Sequence, residues 1–394
     1  MTEINVLKVP FRKLKWIAHL SDIHIRNLKR HREYEECFEK VYGELRKLPS
    51  NTVIYVGGDI VHAKTQMSPE LIHQTSMFFE NLADIAPTII ITGNHDCNLN
   101  NRSRMDALSP IVKNLNHPNL HYLKETGVYK IADTCFSVMS VFDNKKNYIK
   151  ASDIESVNKI SLFHGTVERS QTDFGFKLKS DIKINMFKGY DLALLGDIHK
   201  HQYLNRKKTV AYAGSLIAQN HGEDLNKGFL IWDVLKKKSE FIRVYNDYGY
   251  YTLDIDNGKV PEVDDMPPKA RLRARISNTD AAQLKKVLAV IRHKYGIKDV
   301  TVNRVDGFGV DKIRGDKRIN VGDITSSDYQ YKLIEDYLQR NHIVSDDILV
   351  RIKNINDNLN SQLPEEEVSR NVNWNLKKFE FSNICIGTSS LISI

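Results

Sequence analysis

Five short polar clusters punctuate the first half of the chain, each directly after an apolar run: Asp22 with His24, Asp59, Asn94-His95-Asp96, His164, and Asp197 with His199. Carboxylates, imidazoles and one amide form a mixed donor set that suits two borderline-hard cations such as Mn²⁺ better than zinc in a thiolate cage. Two divalent ions held close together can clamp the attacking and leaving oxygens of an in-line displacement at phosphorus. Any one of these clusters alone is more often a hydrogen-bonded loop. Five in order, each at a strand end, point to metal-assisted phosphoester chemistry.

That chemistry requires the clusters to meet, and the elements before them say how. Lys15–Leu20, Thr52–Val56 and Thr88–Ile91 read as apolar strands, separated by helices predicted over Tyr34–Leu48 and from Ser68-Pro69-Glu70 onward. Strand-helix-strand alternation implies a largely parallel sheet. Loops at the carboxyl ends of such strands lie along one edge, so groups remote in sequence can converge there. Val128–Val141 alternates like antiparallel strands; Lys159–Phe163 and Asp191–Leu195 then lead into His164 and into Gly196-Asp197-Ile198-His199. Short strands near Val210–Tyr212, Gly228–Val234 and Glu240–Val244 close this part.

At 394 residues, 41% hydrophobic and 27% charged, the chain is globular and longer than one average domain. A net charge of +8 favours a polyanionic partner. Cys37, Cys97, Cys135 and Cys385 are scattered without metal or disulfide spacing, which fits a reducing, intracellular setting. No apolar run approaches the roughly 20 residues that span a bilayer, so a soluble protein with no membrane partner is expected.

The order Asp-x-His, Gly-Asp, Gly-Asn-His-Asp, His, Gly-x-x-His over residues 14–245 resembles the calcineurin-like metallophosphoesterases. Within that superfamily the chain looks like the nuclease subunit of the SbcCD and MRN double-strand-break repair complexes. His62 follows Asp59 by three residues, Tyr212-Ala213-Gly214-Ser215-Leu216 and Lys227-Gly228-Phe229 are similar to a Gly-Ser turn and following strand of that branch, and a further unit follows. The resemblance implies an α/β fold, a four-layer αββα sandwich with a smaller capping domain and C-terminal helices. It implies that Asp22, His24, Asp59 and His199 hold one metal, and that Asp59 bridges to a second completed by Asn94, His164 and Asp197. His95 would act on the phosphate or the leaving oxygen, with Asp96 orienting its loop and His62 assisting. One position departs from the family pattern, since Asp197 stands where the family has histidine; a register shifted by two would pair His199 with His201 instead.

The expected organisation is a nuclease domain over 1–245, a capping and DNA-contact domain over 246–323, a helical partner-binding segment over 324–362, and a tail over 363–394. In the second of these, Arg271, Arg273 and Arg275 alternate with apolar residues, so they share one strand face that could contact a DNA backbone or simply be solvated. Helices are predicted over Tyr329–Arg340 and Asp346–Leu359, the second capped by Ser345, with Ile348, Ile352, Ile355 and Leu359 as one stripe. They are reminiscent of the helices that bind an SMC-like ATPase of the SbcC type. Trp374–Ile384 looks like the first strand of that ATPase, which suggests a fused or split nuclease-ATPase. The expected activity is thus metal-dependent cleavage of DNA, exonucleolytic or endonucleolytic, with two Mn²⁺ ions, DNA and the ATPase as partners, and a homodimer left open. The alternatives are a phosphatase or nucleotide phosphodiesterase of the same superfamily, and a DNA-end tether with little turnover.

Overall fold

The computed structural model describes residues 3–305 and 345–361, with a few positions between 327 and 338. The chain divides into two compact units, Met1–Gly309 and Val310–Ile394. In the first, the strands are β1 (Ile4–Leu7), β2 (Trp16–Leu20), β3 (Thr52–Val56), β4 (Thr88–Ile90), β5 (Leu120–Tyr122), β6 (Gly127–Ile131), β7 (Thr134–Met139) and β8 (Asn158–His164). They continue as β9 (Leu192–Gly196), β10 (Gln202–Tyr203), β11 (Val210–Tyr212), β12 (Gly228–Asp233), β13 (Lys238–Arg243), β14 (Tyr250–Asp256), β15 (Arg271–Ser277) and β16 (Val300–Arg304). The helices are α1 (His31–Leu45), α2 (Pro69–Ile85), α3 (Ser109–Leu115) and α4 (Ala281–Tyr295), with α5 (Asp346–Ser361) in the second unit.

One sheet runs β13-β12-β2-β3-β4-β5 and another β1-β6-β7-β8-β9-β11-β10. The centre of each is parallel, β2 through β5 in the first and β7-β8-β9-β11 in the second. Alternate residues of each strand serve different layers. Ile17, Val53, Tyr55 and Ile89 point between the sheets onto Phe136, Val138, Ile160, Leu162, Leu192 and Leu194. Ala18, Leu20, Ile54 and Val56 point the other way, under Phe38, Val41 and Leu45 of α1 and Leu71, Phe78 and Leu82 of α2. Strands buried on both faces must be apolar throughout, which is why they read as unbroken runs. Each fully buried Leu, Ile or Phe contributes roughly 1.5–3 kcal/mol. The outer face of the seven-stranded sheet is covered by loops and three short 3₁₀ turns, packed on Phe163, Leu195 and Tyr212 through Phe187. The layered α/β class expected from the sequence is the one observed.

Local chemistry sets the helix ends. Ser68 accepts from Leu71 N–H at 3.3 Å and Pro69 opens α2. α1 begins at His31, three residues before the start expected from its periodicity, because its first turn is polar. Glu33 in that turn is nonetheless buried, and the guanidinium groups of Arg30 (2.8 Å) and Arg271 (2.9 Å) neutralise it.

The third sheet, β14-β15-β16, is parallel and is covered by α4, which Asp280 and Gln283 close with a reciprocal cap. β14 is an edge strand that the sequence reading left out; only Leu253 and Ile255 mark its buried face. In β15, Leu272, Ala274 and Ile276 are buried and the three arginines lie on the opposite face, as a period of two requires. Arg271 is committed to Glu33 and packs near Tyr248 and Tyr250, while the more exposed Arg275 pairs with Asp254 at 3.0 Å.

In α5 the inward residues are Leu349 and Asn356, with Ile352 half-buried; Ile348 and Ile355 are exposed. The buried stripe therefore sits about one residue round from the one expected, because Asn356 Nδ2 donates to Ser327 O at 2.9 Å and turns its own face inward. The carbonyl of Ser345 accepts from Ile348 and Leu349 N–H. The tail and its strand over Trp374–Ile384 lie outside the described residues, as does most of the helix expected at Tyr329–Arg340. Cys37, Cys97 and Cys135 are buried free thiols. Among the described residues no helix is long and apolar enough to cross a membrane.

His19 of β2 ties the two sheets together by donating from Nε2 to Leu195 O at 3.2 Å. Its complete burial pulls its pKa down to about 3. A lowered folded pKa means that the unfolded chain takes up the proton first, so stability falls as pH drops below about 6.5 and goes on falling to about 3. The slope from this one group reaches about 1.4 kcal/mol per pH unit. His19→Gln keeps a donor and cannot charge. In chelator, its urea midpoint should fall less than the parent's between pH 6.5 and 4.5; parallel profiles would contradict the assignment.

Candidate active site

Beyond the last residues of β2 and β3 the two loops stay zipped together. Asp22 N–H donates to Gly58 O, His24 N–H to Asp59 O and Ile25 N–H to Ile60 O, at 3.1, 2.9 and 2.8 Å. This path places left-handed backbone on residues that rarely adopt it, with φ at +53° for Asp22, +51° for His24 and +55° for Asp59, and Asp197 at the end of β9 is likewise at +101°. Strain of this kind persists where surrounding structure holds it, and it concentrates at functional sites. Asp96 supplies much of the hold. Its Oδ1 accepts from Ile60 and Val61 N–H (2.9 and 3.0 Å) and its Oδ2 from Gly93 N–H (2.9 Å), clamping the Asp59 loop to the Asn94 loop. Burial and the nearby Asp59 push its carboxyl up to about 7. Gly93 is required at the crossing, since a Cβ there would overlap Asp59 N and Oδ1.

Asp59 lies between two groups of donors. Its Oδ2 is 3.5 Å from His24 Nε2 and its Oδ1 is 3.4 Å from His164 Nε2, and Oδ1 also accepts from His95 N–H at 2.8 Å. On one side Asp22, His24 and His199 bring ligand atoms within 4.8 Å of one another; on the other, Asp22, Asp59 and His164 do so. Asn94 joins the second group, with Oδ1 3.0 Å from His164 Nε2.

The proton positions test whether cations fit. His164 Nδ1 donates to Gly57 O at 2.7 Å, so in neutral imidazole the Nε2 lone pair faces two oxygens, Asn94 Oδ1 and Asp59 Oδ1. His199 Nδ1 donates to Glu223 Oε1 at 2.8 Å, so its Nε2 lone pair faces His24 Nε2 at 3.0 Å. At His164 a lone pair is aimed at two oxygen acceptors in a buried site, which calls for a cation, and this donor set suits divalent ones. Without them, protons must serve. Burial opposes charge on His164, but Asp59, Asp22 and Asp197 outweigh it and hold its pKa well above the ordinary value. Burial likewise opposes charge on His199, and Glu223 reverses the balance. Burial keeps His24 well below the usual imidazole range and lifts the Asp22 carboxyl to about 6. Asp59 is held low by His164, His24 and His95 in spite of its burial.

The remaining expected residues are placed as follows. Asp197 gives its backbone N–H to Asp22 at 3.0 Å, while its carboxylate accepts from Thr166 Oγ1 at 2.6 Å; it acts electrostatically on His164 but stands outside both tight groups. His201, the partner in the shifted register, turns away, stacked on Phe241 with Nδ1 3.0 Å from Tyr212 O. His95 and His62 both face His24, at ring distances of 4.8 and 5.6 Å, and stack on each other. His95 Nδ1 is fixed on His62 O at 2.7 Å, which leaves its Nε2 available. The small sheet's arginines are not part of this cluster.

Glu223 is the residue that reading by motif missed. It follows no strand and belongs to no spaced pattern, yet it orients His199 and is itself held by Lys227 at 3.1 Å. Burial opposes its ionisation, but His199 and Lys227 bring its pKa down to about 2. The only trace in the sequence is an acid four residues before the Lys227-Gly228 pair.

Strand-end carboxylates and imidazoles at the edge of paired α/β sheets define a metal-dependent phosphoesterase site. The calcineurin-like phosphoesterase profile matches residues 15–221, and the chain belongs to that family. It is 44% identical over 304 residues to "Uncharacterized protein R555" of Acanthamoeba polyphaga mimivirus, a match covering 73% of this chain and 22% of that protein. It is 23% identical over 262 residues to "Putative phosphoesterase 244L" of Invertebrate iridescent virus 6, covering 62% of this chain and 78% of the relative. The chain thus spans about a fifth of the mimivirus protein's length.

A carboxylate behind a metal-ligating histidine typically contributes 10- to 100-fold in metal affinity. Glu223→Gln should weaken divalent-cation binding at the His199 group by about that factor in titration calorimetry. Unchanged affinity would contradict this role for Glu223.

Proposed function

We propose that the chain is a metal-dependent DNA nuclease that hydrolyses phosphodiester bonds in double-strand-break repair or recombination, together with an SMC-like ATPase. The observation that carries this reading is the pair of imidazoles outside the ligand groups, His62 and His95, whose ring nitrogens lie within 4.8 Å of each other and of His24. Asp22, His24, Asp59 and His199 would hold one cation; Asp59, Asn94 and His164 would hold the other, with the Asp197 carboxylate, bonded to Thr166, beside them. Two divalent ions, Mn²⁺ being best suited to the donors, would supply Lewis acidity and an activated water.

The chain's own groups do the rest. His95 keeps its Nδ1–H on the carbonyl of His62, so Nε2 is the nitrogen free to face a phosphoryl or leaving oxygen: it accepts a proton there as the neutral ring and donates one as the imidazolium. His62 stacks against it; burial draws the His62 pKa down to about 4, so the ring is neutral at pH 7 and does not compete for the phosphate. Lys64, exposed at the rim, donates to Asn94 O at 3.0 Å and brings a positive charge beside the second group. A charge of +8 favours a polyanionic substrate over a small phosphomonoester. On β15, Arg275 is the arginine best exposed for backbone contact. Exposed Ile348 and Ile355 on α5 offer an apolar face for the ATPase, and the mimivirus relative is long enough to carry further domains in one polypeptide.

The test is cleavage of linear DNA by purified protein in Mn²⁺. His95→Ala should reduce turnover about 10²- to 10⁴-fold while Mn²⁺ binding largely survives. Hydrolysis of a small phosphomonoester with no cleavage of DNA would replace the nuclease by a phosphatase. Inert protein, even with the ATPase added, would leave only a DNA-end tether.

A further inference from the structure

Two phenylalanines stand out on a loop between β8 and β9. Phe174 and Phe176 leave 71% and 61% of their surface in solvent, with ring centroids 6.4 Å apart. Paired aromatic rings at one exposed tip are a feature of binding surfaces, because nothing in folding rewards leaving them wet. The loop holds its shape. Gln171 and Lys177 pair as a bridge, Thr172 N–H donates to Phe176 O at 3.1 Å, and Gly175 N–H donates to Thr172 O at 2.8 Å with Gly175 at φ +80°.

Its base is tied to the candidate active site. Asp173 is 3.3 Å from Lys227 Nζ, the same ammonium that is 3.1 Å from Glu223 and donates to His199 O at 3.0 Å. Both Lys227 and Asp173 are buried at their charged ends, so this three-way contact is shielded from solvent. The Phe174 ring lies over Gly222, where a Cβ would overlap it, and Gly222 adjoins the residue that orients His199. Lys177 and Lys179, both exposed, flank the rings. Aromatic faces set among lysines and fixed relative to a phosphate-handling centre match the way single strands are gripped: bases stack, and the cations follow the backbone.

We infer that Phe174 and Phe176 form a stacking platform for unpaired nucleobases of the strand whose phosphodiester lies at the metal centre. The platform rests on the nuclease reading and narrows it: the site takes a single strand or a frayed end, with no sequence preference, and holds it by the bases next to the cut. Lys227 and Asp173 position the platform and touch neither base nor phosphate.

The test compares a labelled single-stranded oligonucleotide with an abasic strand of the same length, in chains that also carry His95→Ala so that the strand survives. F174L/F176L keeps apolar bulk and removes the π faces. It should weaken binding of the base-bearing strand by roughly tenfold or more, leave the abasic strand unchanged, and be restored by F174W/F176W. Equal loss on both strands, no loss on either, or a defect confined to binding the ATPase would overturn the platform while leaving the nuclease reading intact. A chain with both phenylalanines that binds neither strand would sink the nuclease reading and the platform together.

Discussion

The site depends on where one carboxylate is held. Asp59 reaches toward His24 with one oxygen and His164 with the other, and so stands between the two donor groups, which Asp22 also shares. Nothing in a free aspartate favours that position, because its backbone is left-handed and its side chain is buried. It is kept there by the His95 N–H on Oδ1, by the three N–H bonds that Asp96 accepts from the two flanking loops, and by the missing side chain at Gly93. Asp96 is therefore a structural counterpart of Asp59: one carboxylate fixes the loops, and the fixed loops aim the other.

A second chain of contacts leads outward from His199. Glu223 sets its tautomer, Lys227 balances Glu223, and Asp173 completes the ion cluster at the base of the Phe174 loop. Buried charges of this kind are costly to strand, so removing one leaves its partner uncompensated in low dielectric. The expense is understandable if the arrangement has to fix an imidazole nitrogen to within a fraction of an ångström. A surface loop is held in register with His199 by the same contacts.

Much of this was legible in the sequence because burial and chemistry leave different marks. Strands covered on both faces must be apolar throughout, so β2, β3, β8 and β9 stand out as runs, and the polar residue that ends each run is conspicuous. Asp22, His24, Asp59, Asn94, His95, His164 and His199 are all found that way. Features held by partners remote in sequence were not legible. Glu223 lies in a loop with no pattern of its own, the first turn of α1 is polar because Arg30 and Arg271 neutralise Glu33, and β14 is an edge strand with only two buried residues. The face of α5 turned with Asn356, whose hydrogen bonds to Ser327 no periodicity announces. Arg271, expected on an open face, is likewise spoken for by an acid more than two hundred positions earlier.

In the proposed nuclease, Asp59 joins two cation sites into one centre. Electron paramagnetic resonance of the Mn²⁺-loaded protein tests it directly, since two ions bridged by a carboxylate are exchange-coupled and isolated ions are not. A coupled signal is expected at two equivalents of Mn²⁺, replaced by uncoupled Mn²⁺ in Asp59→Asn. A wild-type protein that shows only isolated Mn²⁺ at saturation, with the same spectrum as Asp59→Asn, would contradict it.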